Sequence, residues 1–206
     1  ISSGSIERPL VFGNNDTPGV MLSSAAKEYL KVYGVLVGKK PLIFTNNDSG
    51  YETAIEFKKN GIESLILDTR KNPKSEVIEE AINLGIKIKF SYVVVAAKGY
   101  KKVKSAEIAK ISDDKSKLGI LENINCDCIC VSGFWTPTIH LASQSGNKTK
   151  FNKDIDAFVP GTPKQNETTL GSANGTFTLE ETLKNSFEIG YELSKKMTNN
   201  DNKTPL

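Results

Sequence analysis

The run Lys40-Pro-Leu-Ile-Phe-Thr45, followed by Asn46-Asn-Asp-Ser-Gly50, has the place of a phosphate-binding turn but not its composition. A strand–turn–helix step holds a dinucleotide pyrophosphate when it reads G-x-G-x-x-G. A side chain at the second glycine keeps the phosphates away from the backbone. Here the three places hold Thr45, Asn47 and Gly50, so only the glycine that lets helix and strand pack is present. Asp48 adds negative charge where a phosphate would sit. Asp68 ends the next apolar run, 18 residues after Gly50, and holds the place of a ribose-binding acid. The expectation is a retained fold with a damaged cradle, a structural relic with no dinucleotide at this turn.

A second candidate is Gly171-Ser172-Ala173-Asn174-Gly175, just before the last helical pattern. Small residues and free N–H groups ahead of a helix N-terminus suit a phosphate or a ribose, aided by the helix dipole. A plain glycine-rich loop with a cap is the alternative. Ile1-Ser-Ser3-Gly4-Ser5 and Val131-Ser-Gly133-Phe-Trp-Thr-Pro137 each turn on a glycine beside an apolar run. Such a pair suits a chain that leaves one dinucleotide domain and later re-enters it. Ser3 and Gly4 should then meet Gly171 to Asn174 at one ligand.

His140, the only histidine, has no nucleophile pattern or acidic partner nearby and reads as structural. Cys126, Cys128 and Cys130 alternate along one apolar run, so the three thiols should share one face, buried and reduced. One strand face cannot build a tetrahedral zinc site, and reduced thiols suit a cytoplasmic location.

These residues must be positioned by elements that the pattern supplies. Lys40–Thr45 predicts a strand, and a stripe through Tyr51, Ala54, Ile55 and Phe57 predicts a helix stopped at Asn60-Gly61. Ile62–Asp68 is the next strand, Ser75 to Gly85 the next helix, and Ile86–Phe90 a third strand. That β-α-β-α-β order implies a parallel sheet, half of a Rossmann fold. Tyr92–Ala97, Val103–Ile111 and Gly119–Glu122 predict an antiparallel meander, and Cys126–Val131 another buried strand. Sequence beyond Phe151 reads as loop, and Thr178 to about Lys196 as a helix opened by the Thr178/Glu181 capping box. The last residues, 197–206, read as a linker.

The 206 residues carry 27 Lys and Arg against 24 Asp and Glu, a balance too even for a nucleic-acid partner. Lys98, Lys101, Lys102 and Lys104 cluster without an aromatic stacking platform and read as a solvated hairpin. No apolar run is long enough for a membrane span.

Glu7-Arg-Pro-Leu-Val-Phe12, Asn15-Asp-Thr-Pro-Gly-Val-Met-Leu22, Phe44-Thr-Asn-Asn-Asp48, Val131–Pro137, His140-Leu-Ala-Ser-Gln-Ser145 and Ala173-Asn-Gly175 together resemble the alpha subunit of heterotetrameric sarcosine oxidase. Some of these motifs occur in related opine and amine dehydrogenase subunits. The likeness runs along the whole chain and implies an internal fragment of a flavin/NAD-dependent oxidoreductase subunit, inactive alone. The implied fold is α/β, a Rossmann-like nested pair of dinucleotide-binding domains with the first domain incomplete and an antiparallel β-meander. Residues 20–125 are expected to form the second, degenerate NAD(P)H-like domain. Residues 1–19 and 126–206 are expected to form the remainder of the first.

The resemblance further implies oxidative demethylation of sarcosine to glycine, with the amine oxidised at a flavin on the beta subunit. It implies a partial NAD site here at Ser3, Gly4, Gly171, Ser172, Ala173 and Asn174. FAD, FMN and tetrahydrofolate would lie elsewhere in a complex with beta, gamma and delta subunits. A stand-alone NAD(P)H-dependent flavin or disulfide reductase-type domain is the alternative, disfavoured by Asn47.

Overall fold

Strands that are apolar at every position, rather than at alternate ones, are buried on both faces. Leu42-Ile43-Phe44 and Cys128-Ile129-Cys130-Val131 are of this kind, and they lie side by side within a parallel sheet. The computed structural model describes residues 1–198. In chain order the elements begin with β1 (Ser5–Glu7), β2 (Val20–Leu22), α1 (Ser23–Tyr33), β3 (Pro41–Thr45), α2 (Ser49–Lys59) and β4 (Leu65–Asp68). Next come α3 (Glu76–Asn83), β5 (Lys87–Phe90), β6 (Tyr92–Lys98), β7 (Ser105–Ile111), β8 (Leu118–Asn125) and β9 (Cys128–Ser132). The chain continues with β10 (Trp135–Pro137), α4 (His140–Gln144), β11 (Thr149–Asn152), β12 (Ala157–Pro160), a 3-10 turn (Gly171–Asn174) and α5 (Leu179–Thr198).

The chain divides into two units, Glu7–Phe134 and a second made of Ile1–Ile6 with the residues from Trp135 onward. In the first, β2-β9-β3-β4-β5 form a five-stranded parallel sheet. One face packs Leu42, Phe44, Leu67, Ile129 and Val131 against Val94, Ala97, Val103, Ala106 and Ile108 of the antiparallel β6-β7-β8 meander. The other face packs Ile43, Ile66, Cys128 and Cys130 against Ala26 of α1, Phe57 and Tyr51 of α2, and Ile78 of α3. Helices, parallel sheet and meander thus make three layers around two cores. Phe57, fully buried, contributes about 1.5–3 kcal/mol to the helix-side core. Both α2 and α3 stop where expected, at Asn60-Gly61 and at Gly85, with each glycine in the left-handed region.

In the second unit β1 pairs with β10, and β11 with β12. Phe151 faces Phe158 across the latter hairpin with ring centres 5.2 Å apart. This hairpin stands where the sequence predicts loop. The Thr178 hydroxyl accepts the Glu181 N–H at 3.3 Å and donates to the Glu181 carboxylate at 2.8 Å, so Thr178 caps α5, with Glu181 meeting its hydroxyl rather than its backbone N–H.

Three expectations need correction. β9 joins the parallel sheet beside β3, so the first unit runs from 7 to 134 rather than 20 to 125, and the crossings fall at 6/7 and 134/135. The physical reason is that β9 is apolar on both faces and is buried only between two strands. Second, the three thiols do not share a face. Cys128 and Cys130 join the helix-side core with sulfurs 3.7 Å apart, whereas Cys126 joins the meander-side core. The alternation breaks at Asp127, whose carboxylate accepts the Lys39 and Lys40 N–H groups at 2.8 and 2.7 Å. Third, Tyr100 stands 92% exposed among the lysines of the β6–β7 turn, so an aromatic side chain does interleave with them. Of the residues read as a linker, Met197 and Thr198 belong to α5, and the remainder lies outside the described residues.

Candidate functional sites in the two units

Chain order and sheet order reverse between β3 and β9, and the carboxyl ends of two such strands form the crevice where α/β folds take ligands. Asn47 fills that crevice. It is 6% exposed, and its Nδ2 donates to the Ser132 carbonyl at 3.0 Å and to Asn46 Oδ1 at 3.0 Å. Three amides of the turn are spoken for: Asn46 N donates to Ser132 O (3.3 Å), Asn47 N to Thr45 Oγ1 (3.1 Å) and Ser49 N to Asn47 Oδ1 (2.9 Å). Gly50 is the helix–strand packing glycine, since an added Cβ would sit 2.7 Å from Thr45 Cβ. The turn keeps the shape of a dinucleotide cradle and spends those three donors internally. The Asn47 side chain and these bonds stand against a pyrophosphate in this turn.

Asp68 does not project toward a ribose. It is fully buried and accepts the Tyr51 hydroxyl at 2.7 Å, the Arg70 N–H at 2.8 Å and Arg70 Nη2 at 2.8 Å. Arg70 also pairs with Asp48, Nη1 to Oδ1 at 2.8 Å, so the acid expected to repel phosphate is neutralised within the turn. Burial pushes the Tyr51 phenol well above its ordinary range, and the hydrogen bond to Asp68 pushes it further. Burial alone would lower the Arg70 pKa, but its bonds and charge pairing with Asp68 and Asp48 outweigh that and raise it. Phenol and guanidinium are therefore locked as donors, and the cluster is a polar rivet beneath the turn.

In the second unit Ser3 Oγ donates to Thr138 O at 2.6 Å, and Thr138 N donates to Gly4 O at 2.9 Å. Ile1 ties this segment to the glycine-rich turn. Its carbonyl accepts Leu170 N at 2.9 Å. Gly171 to Asn174 form a 3-10 turn closed by Thr176 N to Gly171 O and Gly175 N to Ser172 O, each 3.1 Å. Ala173 is fully buried and Asn174 exposed. Among the described residues, no hydrogen bond outside the turn is donated by the Gly171, Ser172 or Ala173 amide. The α5 N-terminus, by contrast, is taken by the Thr178/Glu181 pair and carries Glu180 and Glu181 in its first turn. Its dipole is thus met by the protein's own acids. The donors left over are those of the 3-10 turn.

His140 opens α4 and is exposed, not packed in a core. Among the described residues no three His, Cys, Asp or Glu side chains are grouped to hold a metal, and no helix is long and apolar enough to cross a membrane. The Asn47 plug and the Tyr51–Asp68–Arg70 rivet were not legible from spacing. Their only trace in the sequence is Tyr51 and Arg70 flanking the expected acid.

No family profile matches the chain. Among curated proteins, the sarcosine oxidase alpha subunit of Corynebacterium sp. strain P-1 is 31% identical over 192 residues, which is 92% of this chain and 20% of that protein. The alpha subunit from Rhizobium meliloti strain 1021 is 35% identical over 184 residues, 85% of this chain and 17% of that protein. The chain therefore spans about a fifth of the length of the curated relatives it matches. Among solved structures, thioredoxin reductase of T. acidophilum superposes with TM-score 0.68 at 15% identity, covering 88% of this chain and 59% of that one. Bacillithiol disulfide reductase of Staphylococcus aureus gives 0.66 at 15% identity, covering 95% and 62%. These likenesses show the fold, an α/β Rossmann-like one shared with those reductases. The chain is thus a relative of the sarcosine oxidase alpha subunits over most of its own length.

Proposed function

We propose that this chain is part of the alpha subunit of a sarcosine oxidase-like amine oxidoreductase. Its second unit contributes to an NAD site, and its first unit serves as scaffold. The observation that carries this reading is the identity of 31–35% to three sarcosine oxidase alpha subunits along 85–92% of the chain. The reaction would be oxidative demethylation of sarcosine to glycine in an assembly with beta, gamma and delta subunits, with the amine oxidised at a flavin on the beta subunit and tetrahydrofolate used elsewhere in the complex. NAD would be held partly by Ser3, Gly4 and the Gly171–Asn174 turn, whose spare amides suit phosphate or ribose oxygens.

A stand-alone disulfide reductase is the weaker reading. Cys128 and Cys130 are buried in the helix-side core, and Cys126, also buried, packs on the other face of the sheet.

Titrating the chain with NAD while following amide shifts and the fluorescence of Trp135, its single tryptophan, tests the proposal. Saturable shifts at Gly4 and at 171–174 are expected, with a dissociation constant of about 1 mM or weaker, no tighter than about −4 kcal/mol. Shifts centred on Asn46–Ser49 would overturn the assignment of roles to the two units.

A further inference from the structure

The first unit has a cavity at the end of its sheet opposite the Asn47 turn. It holds about 390 Å³ and opens where β3, β4 and β5 begin, at Pro41, Leu65 and Lys87, beside the end of β8. That volume falls within the range of small-molecule sites. Its lining is mostly apolar, with Leu42, Leu65, Ile124 and Cys126 among the walls. Ser64 also lines it. This residue is only 8% exposed, yet its Oγ has no hydrogen-bond partner. A buried hydroxyl left unpaired is costly unless something else pairs with it.

The rim adds charge. Lys40 and Lys87 border the cavity, and neither ammonium is in an ion pair among the described residues. The one acid on the rim, Glu63, is already committed to Lys58 at 2.5 Å. The opening thus has two uncommitted positive charges above an apolar pocket with one unsatisfied hydroxyl. Its edge is held in place, because the Asp127 carboxylate binds the Lys39 and Lys40 amides and Asp127 N donates to Lys40 O at 3.3 Å. Gly38 is required there, since a Cβ would lie 2.7 Å from both Asp127 Oδ1 and Cys128 Cβ.

We propose that this cavity is a binding site for a small amphipathic anion, a short-chain carboxylate whose apolar body fills the pocket. Its carboxylate sits between Lys40 and Lys87, and the Ser64 hydroxyl, closed off from solvent and unpaired without the ligand, turns about its Cα–Cβ bond to donate to it. Burial pushes the Cys126 thiol up to about 12, with Cys128 and Asp127 adding to the effect, so the floor presents a neutral sulfur to the ligand. The site is separate from the dinucleotide crevice and does not depend on the assignment to an amine oxidoreductase.

Sodium hexanoate is the probe, with hexylamine as a control of the same length and opposite charge. Amide shifts are followed on the full chain. Hexanoate should produce saturable shifts at Ser64, Leu65 and Cys126 with a dissociation constant of roughly 1–10 mM. Replacing both rim lysines (Lys40→Gln with Lys87→Gln) should weaken it about fivefold or more, an effect reduced by salt. Ser64→Ala should weaken it roughly two- to fivefold. Both lysines are exposed, so the double variant keeps its core. Absence of saturable shifts at these residues overturns the proposal. So does equal response to hexylamine, or hexanoate binding that both variants leave unchanged.

Discussion

Asn47 Nδ2 lies 3.0 Å from the carbonyl oxygen of Ser132, joining the turn after β3 to the end of β9 across the crevice where the sheet order reverses. The same carboxamide accepts Ser49 N through Oδ1, so one side chain satisfies both walls of the crevice. Replacing it with alanine removes its bonds to the buried Ser132 and the bond that Oδ1 accepts from Ser49 N. Asn47→Ala should lower stability by about 1–3 kcal/mol. Urea unfolding followed by far-UV circular dichroism measures this. A variant as stable as the parent would mean the plug is incidental.

Gly50 meets Thr45 so closely that no side chain fits. A Cβ there would lie 2.7 Å from Thr45 Cβ and 2.8 Å from Thr45 Oγ1, and Thr45 is fully buried. The neighbour cannot yield without disturbing the strand at the centre of the sheet. Gly50→Ala should destabilise by about 1–3 kcal/mol despite alanine's better helix propensity. A rise in the urea midpoint would show that helix and strand are less tightly apposed than this.

The strongly patterned part of the chain was legible, and the reasons are local. Leu42–Phe44 and Ile66–Leu67 are apolar throughout, α2 and α3 carry clear stripes, and glycine ends both helices. The meander strands are set apart by short, polar joins. Helix α1 is harder to read because its N-cap is Leu22 and its first turn is capped from a distance. Glu7 Oε2 accepts Ser24 N at 2.9 Å, a bond between residues 17 apart that no local rule finds. The β11–β12 hairpin hides for another reason. Its strands have four residues each, and its aromatic pair meets only once the turn is made. Asp68 shows the limit of motif spacing. Position placed it at a ribose, but burial and Arg70 turned it inward.

Cys126 gives a pH dependence whose sign follows from burial. Its thiol is pushed up to about 12, so the folded protein keeps a proton that the unfolded chain releases above about 8.5. The stabilising contribution is therefore whole below that value and is lost as pH rises toward the folded value. The stability advantage of the parent over Cys126→Ser should shrink between about pH 8.5 and pH 10. In the same range Cys126 should resist iodoacetamide until the protein unfolds, read by mass spectrometry. Rapid alkylation at pH 8 of the native chain would contradict the burial that sets the sign.

Thr178 caps the longest helix. Its hydroxyl accepts Glu181 N at 3.3 Å and donates to the Glu181 carboxylate at 2.8 Å. Thr178→Ala should cost about 1 kcal/mol of the helix's stability, and Thr178→Ser should restore most of it. Hydrogen exchange of the α5 amides reports this directly, with faster exchange in the alanine variant. Unchanged protection would mean that tertiary packing, not the cap, holds the first turn.

Ala173 and Asn174 are adjacent in the 3-10 turn yet differ in what a substitution there tests. Ala173 is fully buried, so a bulky side chain has no room, and Ala173→Leu should destabilise the second unit by about 1–3 kcal/mol. Loss of NAD binding in that variant would not separate contact from folding. Asn174 is exposed and borders two small cavities of the same unit, one shared with Thr168 and the other with Gly171. Leucine there keeps the core intact while placing an apolar branch where a ribose or phosphate would lie. If the turn holds NAD, Asn174→Leu should weaken binding by about tenfold, the equivalent of about 1.4 kcal/mol, with the unfolding curve unchanged. The titration read at Gly4 and Trp135 supplies the dissociation constant, and circular dichroism supplies the stability. A variant that binds NAD like the parent would move the site away from this turn, whatever the ancestry of the chain.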